Sequence, residues 1–296
     1  MKRIIICLLC VVLLCGCVGV NGRQNDEKIT VVTTIFPLYD FARHICGDKA
    51  EVKMLIKPGS EVHSFDPLPS DMRAVYDSDL FLYIGGESDK WVYNLIDDTE
   101  INSLALIGTV EHIHKEHYSH NHTDEHIWTS PQNAELMLEA ICNSITQVDS
   151  KNADIYQQNC DAYKAQINMV SNEIREIVSQ CKNPFVLVAD RFPFVFFTAQ
   201  YGIEYEAAFD GCAVSTDISL KTMSRLTQTI KARNIKTVFC TELSSKNIAN
   251  ALRQELGVEI AELHSAHNVT LDDFNSGVSY VDIMYRNKTA LEKGLK

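Results

Sequence analysis

The chain has 296 residues, 46% of them hydrophobic, with 39 acidic against 27 basic side chains and a net charge of −12. The length exceeds one ordinary core and indicates two domains. The ordinary aromatic and charged content excludes wholesale disorder, and the acidic balance argues against nucleic-acid binding.

The first segment has the composition of an export signal. A basic start, Lys2-Arg3, precedes an apolar run too short to span a bilayer, and Gly16 precedes Cys17. We expect residues 1–16 to be a lipoprotein signal peptide, Cys17 to be the lipidated residue of a bacterial lipobox, and residues 17–28 to be a tether. A plain signal peptide is the alternative. Removal of residues 1–16 leaves 25 basic against 39 acidic side chains, a net charge of −14.

Short β-branched runs alternate with helical patterns in two stretches of the chain, which predicts βαβ units with parallel sheets. We predict an α/β fold of two lobes, 29–130 and 182–296, each with a four-stranded parallel sheet flanked by helices. Eight strands are predicted: Ile29–Ile35, Glu51–Ile56, Leu80–Ile84, Leu104–Ile107, Phe185–Ala189, Glu204–Phe209, Thr237–Cys240 and Val258–Leu263.

The segment between the lobes, 131–181, is wholly helical in pattern. Ser130-Pro131 is an N-cap followed by a proline at the first helical position. A second helix, 153–181, carries one apolar face and is long enough to act as a rigid link. A last helix is predicted over 271–291.

Histidine is concentrated in residues 111–126, a composition typical of metal binding. Because this tract lacks fixed spacing, we expect weak, auxiliary metal binding there, with a functionless loop as the alternative. Its auxiliary members are His112, His114, His117, His120 and His122. His63 and His264 follow predicted strands, as do Asp190 and Glu242, and ligands bind at such strand ends in parallel sheets. His44 lies on an amphipathic helix and is interpreted as structural.

Two motifs carry a family resemblance. Residues 58–71 read PGSEVHSFDPLPSD, and residues 124–131 read DEHIWTSP. They resemble the PGxxxHxxxPxPSD and DPHIWLDP segments of the solute-binding lipoproteins of zinc and manganese ABC transporters, the ZnuA/TroA-like, cluster A-I metal-binding family. The resemblance implies that His63 and His126 are metal ligands.

The second half departs from the family pattern. Arg191 stands where the resemblance implies a third ligand, and a guanidinium has no lone pair for a cation. Asp190 is the doubtful substitute, or the ligand is missing. His264 stands at the family's acidic position, with His267 as a nearby substitute, and Glu242 matches a position that supports the site. The expected ligands are therefore His63, His126 and His264.

The resemblance implies a monomeric, extracytoplasmic, lipid-anchored receptor that delivers Zn²⁺ to an ABC permease with its cytoplasmic ATPase. More nitrogen and less carboxylate favours zinc over manganese. The alternatives are a manganese or iron receptor of the same fold and an exported zinc hydrolase. Against an enzyme stands the absence of HExxH and GxSxG motifs. The pairing of six cysteines, 46, 142, 160, 181, 212 and 240, stays open, with buried thiols as the simplest interpretation.

Overall fold

The computed structural model describes residues 28–96, 100–110, 124–209, 211 and 218–295. The predicted signal peptide, Cys17, the five auxiliary histidines and Cys212 lie outside the described residues. None of the helices within these ranges is long and apolar enough to cross a membrane.

The N-terminal sheet contains four parallel strands in the order β2-β1-β3-β4: β1 (Ile29–Thr33), β2 (Ala50–Met54), β3 (Leu80–Tyr83) and β4 (Ser103–Ala105). Strand β3 is buried along its whole length, as expected of a central strand covered on both faces. The helices of this lobe are α1 (Phe36–Cys46), α2 (Pro69–Tyr76) and α3 (Lys90–Ile96).

Two helices follow this lobe, α4 (Pro131–Val148) and α5 (Ala153–Ser179). The hydroxyl of Ser130 accepts a hydrogen bond from the backbone N–H of Asn133, which caps α4 as the sequence predicted. Helix α5 has 27 residues and is about 40 Å long at 1.5 Å per residue. Its buried face includes Tyr156, Cys160, Tyr163 and Ile167, in steps of four, three and four.

The second sheet repeats the topology of the first, with four parallel strands in the order β6-β5-β7-β8. Its strands are β5 (Phe185–Val188), β6 (Glu204–Ala207), β7 (Thr237–Cys240) and β8 (Glu259–Glu262). Its helices are α6 (Val195–Tyr201), α7 (Leu220–Arg233), α8 (Asn247–Leu256), α9 (Leu271–Asn275) and α10 (Tyr280–Gly294). The predicted fold class is confirmed.

The predicted last helix, 271–291, is wrong as one element, because α9 and α10 are separated. Gly277 has a φ of 77° between them, a left-handed conformation that a continuous helix does not allow. The hydroxyl of Ser279 then caps α10 by accepting from the backbone N–H of Asp282.

One apolar core continues from the first sheet through α4 and α5 into the second lobe. Val31, Ile141, Ile167 and Val186 all belong to it and are each no more than 1% exposed. The two lobes therefore share one close-packed interior through α4 and α5.

Candidate metal centre

His63 lies in the loop that follows β2, at the carboxyl edge of the first sheet. Its Nδ1 atom is 2.8 Å from the hydroxyl of Ser88 and 3.5 Å from a carboxylate oxygen of Glu125. Ser88 follows β3, which is separated from β2 by β1, and both loops leave the carboxyl edge of the same parallel sheet.

His126 lies just before the 3-10 turn that leads into α4, and its side chain is almost fully buried. Its Nδ1 atom is 2.7 Å from Asp124 Oδ1. Because an ionised carboxylate can only accept, this contact keeps the proton on Nδ1 and the lone pair on Nε2. Such a carboxylate partner is the usual means of fixing a metal-binding histidine.

Glu125 is buried, with 5% of its surface exposed, and Ser88 holds its carboxylate at both oxygens. The backbone N–H of Ser88 donates to Oε2 at 3.0 Å, and its hydroxyl donates to Oε1. A Cβ atom on Gly86 would collide with the side chain of Glu125. The absence of a side chain at Gly86 therefore leaves the space that the side chain of Glu125 occupies.

The strand end that carries Gly86 is fixed by a buried carboxyl group, Asp89. It accepts from the backbone N–H groups of Ile84 at 2.7 Å and Gly85 at 3.1 Å. Burial raises the pKa of Asp89 to about 6, those two hydrogen bonds oppose the rise, and the nearby charge of Glu125 adds to it.

His267 comes from the second lobe, in the loop that follows β8. Its ring centroid is 4.9 Å from that of His63, 5.0 Å from His126 and 4.9 Å from Trp128. Burial lowers the pKa of His267 well below its ordinary value, and the charges of His126 and His63 lower it further. His267 is therefore neutral at physiological pH, the state in which imidazole binds a metal.

The residue before His267, Ala266, has a strained backbone conformation. Ala266 is fully buried and has a φ of 60°, a left-handed conformation that costs a non-glycine residue about 1 kcal/mol. Functional sites often retain such strain when it places a side chain. Here it turns the chain so that His267 faces the histidines of the first lobe.

Ligand atoms of His63, Glu125, His126 and His267 all lie within 4.8 Å of one another. Tetrahedral zinc with bonds of 2.0–2.2 Å holds neighbouring ligand atoms about 3.4 Å apart. The largest of these separations would therefore have to shrink by no more than about 1.4 Å for the four groups to close around one cation. Three imidazole nitrogens and one carboxylate oxygen form a donor set that suits Zn²⁺.

Of the predicted ligands, the structure brings His63, His126 and the lower-ranked His267 together, but not His264. The Nδ1 atom of His264 accepts from the backbone N–H of Ala266 at 2.9 Å and lies 3.7 Å from Glu242. Asn287 binds both the backbone N–H and the carbonyl of His264. These contacts tie His264 into its own loop.

Glu242 and Asp190 also have partners outside the cluster. Glu242 accepts from the backbone N–H of Ser265 at 2.8 Å and from its hydroxyl, so it braces the loop that carries His267. Asp190 accepts from Thr241 Oγ1 at 3.0 Å. The guanidinium of Arg191 donates to Glu61 of the first lobe at 3.0 Å.

Sequence reasoning missed Glu125 and Ser88. A signal for Glu125 was present, because it is a carboxylate directly before His126 where the family motif has a proline. Ser88 carried no such signal, since its role depends on the loop after β3 meeting the loop after β2 at the edge of the sheet.

The candidate metal centre lies beside a cleft between the lobes, with a volume of about 450 Å³. Ser60 and Glu61 line it from the first lobe, and Arg191, Thr241 and Ser244 from the second. The ion pair of Arg191 and Glu61 crosses this cleft.

Comparison with known proteins places this geometry in context. Residues 31–294 match the ZnuA family, described as "Zinc-uptake complex component A periplasmic". The chain is 28% identical over 309 residues to the zinc-binding lipoprotein AdcA of Streptococcus pneumoniae, covering 99% of this chain and 61% of that protein. It therefore spans about three fifths of the length of that relative.

A second relative and a solved structure are also similar to this chain. The high-affinity zinc uptake system protein ZnuA of Bacillus subtilis is 26% identical over 298 residues, covering 95% of this chain and 92% of that protein. The Zn(II)-bound ZnuA-like domain of Streptococcus pneumoniae AdcA superposes with a TM-score of 0.79 at 25% identity, covering 91% of this chain and 99% of that domain.

Proposed function

Since the chain belongs to the ZnuA family of zinc-uptake components, we propose that it is an extracytoplasmic, high-affinity receptor for Zn²⁺ that delivers the ion to an ABC permease. The observation that carries this proposal is the convergence of His63, Glu125, His126 and His267 from both lobes. The names of the zinc-binding relatives support it.

The proposed ligand set is His63, His126 and His267 with Glu125 as the oxygen ligand. His264 and Glu242 then support the loop that carries His267, and Asp190 stays outside the set. Four protein ligands fill a tetrahedral site, whereas a catalytic zinc keeps an open position for water or substrate. Capture of the ion without catalysis is therefore the proposed role.

Nitrogen-rich coordination supports zinc as the cargo rather than manganese. Carboxylate and carbonyl oxygens suit Mn²⁺, while imidazole suits zinc. Three of the four proposed ligands are imidazoles.

The proposed setting is the outer face of a bacterial cell membrane, with the chain anchored through lipid on Cys17 and residues 17–28 as the tether. The lipoprotein name of the pneumococcal relative supports this location. The auxiliary histidines of residues 111–126 would gather ions near the cleft, and the lobes 29–130 and 182–296, joined by 131–181, would enclose the ion. The proposed receptor works as a monomer with the permease and its ATPase as partners.

Competition titration against a zinc chelator tests the ligand set. Loss of a residue outside the coordination shell typically costs 10–100-fold in metal affinity, so His63→Ala, His126→Ala and His267→Ala should each cost more than about 100-fold. His264→Ala, which removes a residue outside the shell, is the comparison variant and should cost no more than about 100-fold. Unchanged affinity in His267→Ala would overturn the proposed set, and a preference for Mn²⁺ or Fe²⁺ at fixed pH would overturn the proposed cargo.

Delivery is tested in cells that depend on this receptor for growth at limiting zinc. Cys17→Ala should release the protein from the membrane fraction, and His267→Ala should abolish growth without releasing it. Growth of the His267→Ala strain equal to that of the wild type would contradict a zinc-delivery role.

A further inference from the structure

Three buried thiols lie together where α4 and α5 meet α1. Cys46, Cys142 and Cys160 are each no more than 2% exposed. Zinc binding by the proposed site does not use them. The grouping of these three thiols is therefore not explained by zinc binding.

Helices α4 and α5 form an antiparallel hairpin, joined by the short 3-10 turn Ser150–Asn152. The thiol of Cys160 donates to the carbonyl oxygen of Leu138, one turn before Cys142, with a sulfur–oxygen distance of 3.8 Å. In return, the thiol of Cys142 lies 4.0 Å from Gln157 Oε1, one turn before Cys160.

These reciprocal contacts place the two sulfur atoms at the same level of the hairpin. The ion pair of Glu139 with Lys164 lies one turn further along and has the same register. The two thiols also interact electrostatically with each other.

We propose that Cys142 and Cys160 form a disulfide that cross-links the two helices of this hairpin after export. The proposal rests on the extracytoplasmic location given above, because disulfides persist in oxidising compartments. The oxidant is a second disulfide, of a small molecule or a protein. The thiolate of one cysteine attacks this disulfide, forms a mixed disulfide and releases a first thiolate. The thiolate of the other cysteine then attacks the mixed disulfide and releases a second thiolate, and the two cysteine protons pass to the released thiolates.

Disulfide formation would not leave a buried hydrogen-bond acceptor without a partner. The carbonyl of Leu138 keeps its place in the helix of α4, and the side chain of Gln157 is exposed and also donates to Asp161 at 3.0 Å. Closing the 19-residue segment from Cys142 to Cys160 restricts the unfolded chain and so favours the folded state.

Cys46 is assigned as the thiol that stays reduced. It ends α1, outside the hairpin, whereas the thiols of Cys142 and Cys160 each contact the opposite helix of the hairpin.

Peptide mapping under non-reducing conditions tests the pairing. The full chain is refolded in a glutathione redox buffer, and in parallel isolated from exporting cells after thiols have been blocked with N-ethylmaleimide. Trypsin cuts after Lys115, Lys151 and Lys164, so Cys142 and Cys160 fall in separate peptides, and Cys46 falls in a third, 44–49. We expect the first two peptides to be linked and Cys46 to be alkylated.

Thermal unfolding with and without reductant gives an independent measurement. Reduction should lower the Tm of the wild type by about 5–10 °C. Cys142→Ser and Cys160→Ser should lose this difference, and Cys142→Ala/Cys160→Ala serves if either serine variant fails to fold. Cys240→Ser, which removes a buried thiol of the other lobe, and Cys46→Ser should keep it.

The two arms separate this proposal from the zinc-receptor proposal. Free thiols at both positions in the refolded chain, or a link from Cys142 to Cys46, would overturn the disulfide whatever the cellular location. A link in the refolded chain with free thiols in cells would overturn the disulfide as a feature of the exported protein. Zinc affinity should be equal in oxidised and reduced protein, so a failed zinc titration would be a separate result.

Discussion

The side-chain amide of Asn268, in the second lobe, donates to the carbonyl oxygen of Ser60, in the first lobe, at 2.8 Å. It also donates to the carbonyl of Lys57 at 2.9 Å. Asn268 directly follows His267, and Ser60 lies three residues before His63. One buried amide therefore joins the loops that carry two of the proposed ligands.

Asn268→Ala should weaken zinc binding by about tenfold, because binding would then have to order two loops that the amide now holds together. Chelator competition gives the affinity. Asn247→Ala, an exposed asparagine of the same cleft, is the matched control and should be neutral. Lower stability in urea with an unaltered zinc affinity would show that Asn268 only supports the fold.

Gly86→Ala should displace Glu125, since the new methyl group would overlap its side chain. We expect a 10- to 100-fold loss of zinc affinity, the range seen when the support of a ligand is lost. Gly108→Ala, in the same lobe, is the control, because a Cβ there meets nothing within 4 Å. Equal affinities in the two variants would argue against Glu125 as a ligand.

Glu125→Gln and Asp190→Asn make the same chemical change at two carboxylates near the cleft. Removing the charge from Glu125 should cost more than about tenfold in zinc affinity, because it takes a negative ligand from the cation. Asp190→Asn should cost less, since Asp190 binds Thr241 and lies outside the cluster. Isothermal titration measures both, and the reverse order would return Asp190 to the coordination shell.

Asp40 joins three helices and should control stability at acid pH. Its carboxylate accepts from Arg43 Nη2 at 2.7 Å, from the hydroxyl of Tyr163 and from the backbone N–H of Tyr280 at 2.9 Å. Burial alone would raise the pKa of Asp40, but the hydrogen bond and charge of His44, the charge of Arg43 and the Tyr163 hydroxyl lower it below 3.8. Its contribution to stability is therefore complete above about pH 4 and is lost as the pH falls through the folded pKa.

Asp40→Asn should lower the free energy of unfolding by about 2–4 kcal/mol at pH 7, as expected for breaking a buried charged network. Urea unfolding measures this difference, which should shrink as the pH is lowered from about 5 to 2.5. Asp48→Asn, whose side chain is 82% exposed, should change stability by less than about 0.5 kcal/mol. A pH-independent difference would mean that the charge of Asp40 is not what matters.

Much of this fold could be predicted because strands and helices leave periodic patterns. The long helix was predicted over 153–181 and is found at Ala153–Ser179. The dipeptide Ser276-Gly277 is typical of a turn and marks the break between α9 and α10. The apolar pattern on both sides of it nevertheless predicted one continuous helix.

The metal centre was less predictable in the second lobe than in the first. His63 and His126 stood in recognisable segments, and they lie together. The choice between His264 and His267 depends on the left-handed backbone of Ala266, and alanine gives no hint of such a conformation. Arg191 indicated only that the family's third ligand position holds no ligand in this chain. Its ion pair with Glu61 joins the two lobes and could not be predicted from the sequence.

The packing of Trp128 has an optical consequence. The chain has two tryptophans, and the ring of Trp128 lies 5.2 Å from His126 and 4.9 Å from His267. Its indole N–H donates to the carbonyl of Ser265 at 2.8 Å, which couples the fluorophore to the second lobe. Trp91 packs instead against Phe65 and Phe81, so Trp91→Phe would leave an emission spectrum that reports on the histidines alone. The emission of Trp128 should therefore change when a cation enters the candidate metal centre.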